Sequence, residues 1–205
     1  LAFVPPTAKR VVVAFHGNGE IMEWSVARAR RLVRDGHGVV LVEYRGYGRS
    51  RGPISSEAGF YSDAVTVLDE LARRGFGPGA VTVWGTSIGT GVAAEMAYRG
   101  RASSMVLVCP FTSLLAMGQR LAPFLPVSLL LRDRFDTLTK APSITLPSLV
   151  IHGTADELIP VAMGETVAAA LPQARFVRVE GGHHNDLYER QDVMETLLRF
   201  IRTQP

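Results

Sequence analysis

The sequence predicts an α/β protein: a doubly wound, mostly parallel sheet of about six strands flanked by helices. Three observations carry this. Apolar runs of strand length alternate with longer helix-compatible stretches along the whole chain. The runs are continuously apolar, as strands covered on both faces are, rather than alternating with polar residues. They recur singly between helical stretches, an order that implies parallel strands joined by right-handed crossovers. The 205 residues fit one domain, 1–205, large enough to bury a core without disulfides or metals.

The first run, residues 11–15, follows Lys9-Arg10 and ends in His16-Gly17-Asn18-Gly19. A helix is expected from about residue 20 to 34, with Arg28, Arg30, Arg31 and Arg34 on its wet face. Residues 39–42 form the second run, which ends in Glu43-Tyr44 and the glycine-rich loop Arg45-Gly46-Tyr47-Gly48-Arg49. Ser56 is placed to cap a helix reaching Arg74, with Ala64, Val67, Leu68 and Leu71 spaced along one face. Residues 81–84 are the third run, and a helix follows Ser87. Residues 105–108 are the fourth, with the single cysteine, Cys109, behind them as a buried structural thiol. Residues 149–151 and 176–179 are the fifth and sixth. Asp186, with Glu189 three residues on, has the form of a capping box for the last helix. Residues 111–143 contain Pro123, Pro126 and an apolar run at 127–131, and are long for a plain connection. A short helical cap over a pocket and a crossover helix with long ends both fit this stretch.

Composition narrows the partners. Lys and Arg number 22 against 19 Asp and Glu, and almost every cation is a scattered Arg, so no stripe suited to nucleic acid is expected. No run approaches the ~18 apolar residues of a spanning helix, and no secretory signal is visible. One cysteine permits no intrachain disulfide, which favours a cytoplasmic or membrane-anchored protein over a disulfide-stabilised secreted one. The first residue is Leu, so the expectation is that an upstream segment is missing, and membrane association through such a segment stays open.

Gly85-Thr86-Ser87-Ile88-Gly89 is the sharpest chemical signal. It stands directly after an apolar strand and before a helix-compatible run, the context of a nucleophile elbow. A turn so tight needs glycine on both sides, and it lifts the serine hydroxyl over the strand ends at the start of a helix, whose dipole favours developing negative charge. A serine hydroxyl is a weak nucleophile until a base takes its proton. That base should be a histidine oriented by a carboxylate. Asp156 follows the fifth run, and His183 and His184 follow the sixth, so loops at one sheet edge can converge on Ser87. Each has a plainer reading. Asp156 could only fix its own turn, and the adjacent Glu157 competes with it; one of the two histidines is merely a neighbour. His152 and His16 read as packed residues, and His37 as an exposed turn residue. An oxyanion hole would combine the Ile88 N–H with a donor from the loop 16–19, for which Asn18 N–H is the candidate. No His, Cys or acidic pair has metal-ligand spacing, so neither metal nor cofactor is expected.

At these residues the sequence resembles the α/β-hydrolase superfamily, nearly end to end from His16-Gly17 to His184. It is similar to a narrower group of small, lid-poor hydrolases, including membrane-anchored, acyl-protein-thioesterase-like and serine-aminopeptidase-like members. The narrower signs are Tyr44-Arg45-Gly46-Tyr47-Gly48, Ser87-Ile88-Gly89-Thr90-Gly91, Pro110-Phe111-Thr112-Ser113 and His184-Asn185-Asp186. In that group the catalytic histidine is followed by Asn-Asp, which implies His184 as base and leaves His183 the alternative. Glu43 stands where Asp is common. The resemblance carries the expectation that the superfamily's first two strands are missing or trimmed. The resemblance implies hydrolysis of a carboxylic ester or thioester, on a small or lipid-like acyl substrate, through an acyl-enzyme. A peptidase or amidase acting on short peptides is the alternative, and it would need Glu157 or Asp133 to face the pocket. A non-catalytic binding module on the same fold is a third reading. Acyl-chain length, leaving group and oligomeric state are left open.

Overall fold

The computed structural model describes residues 1–53 and 56–204. In chain order the elements are β1 (Ala2–Phe3), β2 (Val11–Phe15), α1 (Val26–Arg34), β3 (Gly38–Val42), α2 (Glu57–Arg73), β4 (Val81–Thr86), α3 (Ile88–Tyr98) and β5 (Ser104–Val108). Then come α4 (Leu114–Leu121), α5 (Val127–Leu130), α6 (Thr137–Lys140), β6 (Ser148–Gly153), α7 (Val161–Ala170), β7 (Ala174–Val179) and α8 (Gln191–Thr203).

The strands form one seven-stranded sheet in the order β1-β3-β2-β4-β5-β6-β7. All neighbours are parallel except β1, which runs antiparallel to β3 with Ala2 opposite Val40 and Phe3 opposite Val39. The fold class is as the sequence predicts. The additional strand is β1: two residues at an edge offer too short an apolar run to register as a strand.

Both faces of the sheet are covered, which explains the unbroken apolar runs. Along β2, Val11, Val13 and Phe15 join a core with Phe60, Leu68, Val92 and Met96 from α2 and α3. Val12 points the other way, into a core with Ala29, Leu32, Leu197 and Ile201 from α1 and α8. Helix α3 is buried from Gly89 to Ala97, as befits a helix that is apolar on nearly every side.

From β2 the chain crosses to β3 on one side, and from β4 to β5 on the other. The order of winding therefore reverses between β2 and β4, and the crevice for a ligand lies beyond their carboxyl ends. Register keeps those ends level: Phe15 is opposite Gly85, Gly85 opposite Leu107, and Val108 opposite Ile151.

Several local expectations are corrected. The stretch after residue 20 is a 3-10 turn, Met22–Ser25, followed by a shorter α1. Arg28 is half-buried, whereas Arg30, Arg31 and Arg34 are exposed. Ser56 sits at the N-cap of α2 without a side-chain capping bond; the Glu57 N–H is taken by Asp133 Oδ1 at 3.0 Å instead. Helix α8 starts at Gln191 with Arg190 at its N-cap. Asp186 caps the turn before it, accepting from His183 N–H at 2.8 Å. His37 is half-buried. Residues 111–143 break into α4, α5, α6 and a 3-10 turn, Ala141–Ser143. Among the described residues no helix is long and apolar enough to cross a membrane.

Candidate active site

Ser87 occupies the turn between β4 and α3 with φ 51° and ψ −120°, a strained conformation for a residue with a Cβ and a sign of function. The turn is possible because its neighbours lack side chains. A Cβ on Gly85 would come within 2.3 Å of Gly89 O, and a Cβ on Gly89 within 2.1 Å of Phe15 O. Val108 O holds Ser87 N–H at 2.9 Å, and the Thr90 hydroxyl and N–H both donate to Ser87 O. Among the described residues no side chain hydrogen-bonds the Ser87 hydroxyl.

The loop after β2 lies against this turn. A Cβ on Gly17 would stand 3.3 Å from Ser87 Cβ. Gly17 N–H donates to Glu20 Oε2 at 2.8 Å, and Tyr47 O–H to Asn18 Oδ1 at 2.8 Å. Behind the loop, His16 is buried, with Nδ1 2.9 Å from Gly17 O and Nε2 3.2 Å from Glu43 Oε1. Asn18 reaches the same cavity as Ser87 and Ile88. As the first residue of α3, Ile88 has no intrahelical acceptor for its N–H.

Asp156 lies in the loop after β6 and His184 in the loop after β7. His184 Nδ1 is 2.8 Å from Asp156 Oδ2. Asp156 Oδ1 accepts the N–H groups of Leu158 and Ile159 at 2.9 and 2.8 Å. His152 Nε2 lies 3.2 Å from Asp156 Oδ2 and 2.9 Å from Ile159 O, so a proton on Nε2 serves both acceptors. Burial acts to raise Asp156, but the bonds from His152, His184 and Ile159 N–H overcome it and hold the carboxyl far below the usual carboxylate range. The carboxylate is thus committed to its charged form.

The two loops are stacked backbone on backbone. Ala155 N–H donates to Gly182 O at 2.9 Å and Thr154 N–H to Val179 O at 3.0 Å. A Cβ on Gly153 would fall 2.1 Å from Gly182 O. Gly181, at φ 64°, donates its N–H to Thr154 Oγ1 at 2.9 Å.

His183 and Glu157, the competing candidates, lie apart. Both side chains are more than half exposed and 3.3 Å from each other, and neither lines the cavity.

The cavity measures about 930 Å³. Ser87 and His184 both line it, together with the apolar residues Phe111, Leu114, Met117, Leu121, Leu131 and Leu158. Its polar lining includes Glu20, Arg28, Asn185 and Glu189. Asp133 is absent from the lining.

Two placements escaped the sequence reading, that of Arg28 at the cavity and that of the buried Cys109 thiol beside Asp156. Arg28 stacks 4.0 Å over the Tyr188 ring, and Tyr188 O–H meets Thr86 Oγ1 at 2.5 Å and Trp84 Nε1 at 3.1 Å. A cation is thereby brought to the cavity beside Ser87; only the one-turn offset of Arg28 from the buried Ser25 and Leu32 could have hinted at it. Cys109 is buried with φ 51°. Its Sγ and the donor atoms of Asp156 and His184 lie within 4.8 Å of one another, a convergence that linear spacing does not contain. Burial, followed by the charge of Asp156, pushes the thiol well above its usual value. With the Asp156 oxygens already hydrogen-bonded and the thiol held protonated, the trio is a poor ligand set for a metal.

Residues 6–133 match the Hydrolase_4 family, described as serine aminopeptidase, S33. The uncharacterized protein Rv2307c of Mycobacterium tuberculosis is 35% identical over 194 residues, covering 93% of this chain and 69% of its own length. Alpha/beta hydrolase domain-containing protein 17B of Xenopus laevis is 30% identical over 202 residues, 96% of this chain and 67% of that protein. Among solved structures, a monoacylglycerol lipase of Paleococcus ferrophilus superposes with a TM-score of 0.76 at 20% identity, over 98% of this chain and 95% of that one.

Proposed function

The chain belongs to the Hydrolase_4 (serine aminopeptidase, S33) family of α/β hydrolases, and on that premise we propose that it is a serine hydrolase that cleaves carboxylic esters or thioesters through an acyl-enzyme. The carrying observation is that one cavity is lined by Ser87 on a strained elbow and by an imidazole whose far nitrogen is bonded to a buried carboxylate.

In this reading Ser87 Oγ attacks the carbonyl carbon as His184 Nε2 takes its proton. Asp156 holds Nδ1–H and stabilises the imidazolium. The oxyanion is received by the N–H groups of Ile88 and Asn18, each contributing about 3–4 kcal/mol to the transition state. The tetrahedral intermediate expels the alkoxide or thiolate, which takes the proton from His184. Water, deprotonated by the same nitrogen, then attacks the acyl-Ser87 ester; the acyl carbon–Oγ bond breaks as His184 returns the proton to Ser87 Oγ, and the carboxylic acid departs. The apolar lining favours an acyl chain as the substrate's recognised part.

The peptidase alternative needs a carboxylate to anchor a peptide amine. Asp133 and Glu157 lie outside the cavity; Glu20 is bonded to Gly17 N–H, and Glu189 is exposed.

A fluorophosphonate probe and p-nitrophenyl esters test the proposal. The folded protein should be labelled at Ser87, and Ser87→Ala should abolish both labelling and turnover. Labelling elsewhere, or ester turnover retained by Ser87→Ala, would end it. Faster cleavage of aminoacyl amides than of esters would transfer the site to the peptidase reading.

A further inference from the structure

Large apolar side chains are unevenly distributed over the surface. Among the described residues, seven of the nine exposed ones gather at the cavity mouth or in the stretch that adjoins it. Trp24, Leu121 and Leu158 line the cavity while standing 62%, 74% and 55% exposed. Phe124, Leu125, Leu129 and Leu130 follow Leu121 in the chain, with Phe124 and Leu129 more than 80% exposed. Helix α5 packs onto α4, since a Cβ on Gly118 would reach Val127 Cγ1 at 2.7 Å, so the exposed residues from Leu121 to Leu130 are held together beside the cavity as a collar.

An apolar collar of this extent on a folded domain marks an interaction surface. Its charge identifies the partner. Residues 114–132 contain no Asp or Glu and two cations, Arg120 and Arg132. Both are exposed, and among the described residues neither forms an ion pair. The acids that line the cavity, Glu20 and Glu189, come from the loops after β2 and β7 rather than from residues 114–132. Apolar side chains flanked by unpaired arginines suit the interface of an anionic lipid bilayer, where the rings and leucines enter the acyl boundary and the guanidinium groups meet the head groups.

We propose that the α4–α5 collar docks this hydrolase on an anionic lipid surface, with the cavity mouth opening toward the bilayer. The substrate-bearing end of a membrane-held acyl group would then reach Ser87 without crossing water. The docking itself does not depend on the ester-hydrolase reading.

Vesicle flotation tests it, with phosphatidylcholine vesicles and vesicles that also contain phosphatidylglycerol. The folded chain should float with the mixed vesicles, and Trp24 emission should shift to the blue on binding. Phe124→Asp/Leu129→Asp should lower the partition coefficient by at least about tenfold, the expected loss when two large side chains can no longer leave water. Its thermal midpoint and its rate on a short soluble ester should be unchanged. Arg120→Glu/Arg132→Glu should weaken binding to mixed vesicles and leave the phosphatidylcholine baseline unmoved. Absence of flotation with either vesicle, or undiminished binding by the Asp variant, overturns the proposal. So does sedimentation of the wild type as a dimer that the Asp variant dissociates, which would assign the collar to a second copy. Ser87→Ala should float as the wild type does. Retained flotation with no ester turnover in the wild type would therefore sink the enzymatic reading alone.

Discussion

Of the imidazole–carboxylate contacts at this edge of the sheet, two invite comparison. His16 meets Glu43 behind the loop after β2, and His184 meets Asp156 beside the cavity, at 3.2 and 2.8 Å. Both are buried, so neither proximity to a carboxylate nor exclusion of water separates them. The difference lies in what is left over. Both nitrogens of His16 face fixed partners, Gly17 O and Glu43. His184 engages one nitrogen and lines the cavity with the rest of its ring. The carboxylates differ as well: Asp156 takes two backbone N–H groups, whereas Glu43 accepts no hydrogen bond among the described residues. A base needs an oriented ring with a nitrogen to spare, and of these two pairs the second offers one.

The largest effect that sharpens this contrast is expected from His184→Ala, with kcat/KM on esters falling by about 10⁴-fold or more and little change in thermal midpoint. Asp156→Asn should cost about 10⁴-fold in kcat by presenting the wrong tautomer. It should also change the acid limb of stability. Because the folded carboxyl lies far below its ordinary value, the stability it confers is complete above the usual ~3.9 and is lost as pH falls beneath it. The gap in thermal midpoint between wild type and Asp156→Asn should therefore shrink as the pH is lowered through that range; a constant gap would break the argument.

Glu43→Gln should show the reverse pattern. The altered buried contact is expected to cost about 1–3 kcal/mol, or roughly 2–4 °C in midpoint per kcal/mol, with kcat kept within about tenfold. A collapse of kcat at unchanged stability would make the two pairs alike. His183→Ala should matter least: an exposed side chain bonded only to Glu157 should leave kcat within about twofold and the midpoint within the ~0.5 kcal/mol typical of surface changes. Steady-state kinetics and calorimetry on the same preparations check both variants.

The sheet was legible because each central strand is covered on both faces and so writes an unbroken apolar run. The antiparallel edge strand β1 was not, since two residues carry no period. Ser87 was legible because the elbow's steric demand for Gly85 and Gly89 is local. Asp156 and His184 were legible as positions after successive strands, but their 2.8 Å contact arises from β6 and β7 being neighbours, which no spacing states. The pattern at Asp186 and Glu189 misled because a capping box and a capped turn use the same residue types. Arg28 reads as wet surface because charge on a helix usually faces solvent; the Tyr188 ring on which it stacks comes from 160 residues away. The apolar residues of α4 and α5 gave no sign of whether they pack on the sheet or face outward, since both uses require the same composition.

The stacking of Gly153 against Gly182 has a consequence for motion. With no side chain between them, the segments that carry Asp156 and His184 form one plate, tied by amide contacts that do not depend on either imidazole or carboxylate. If that rim breathes to admit a substrate, acid and base travel together, and the distance that opens is the one to Ser87. The imidazole would keep its orienting partner throughout such a cycle and return to the serine already set for proton transfer.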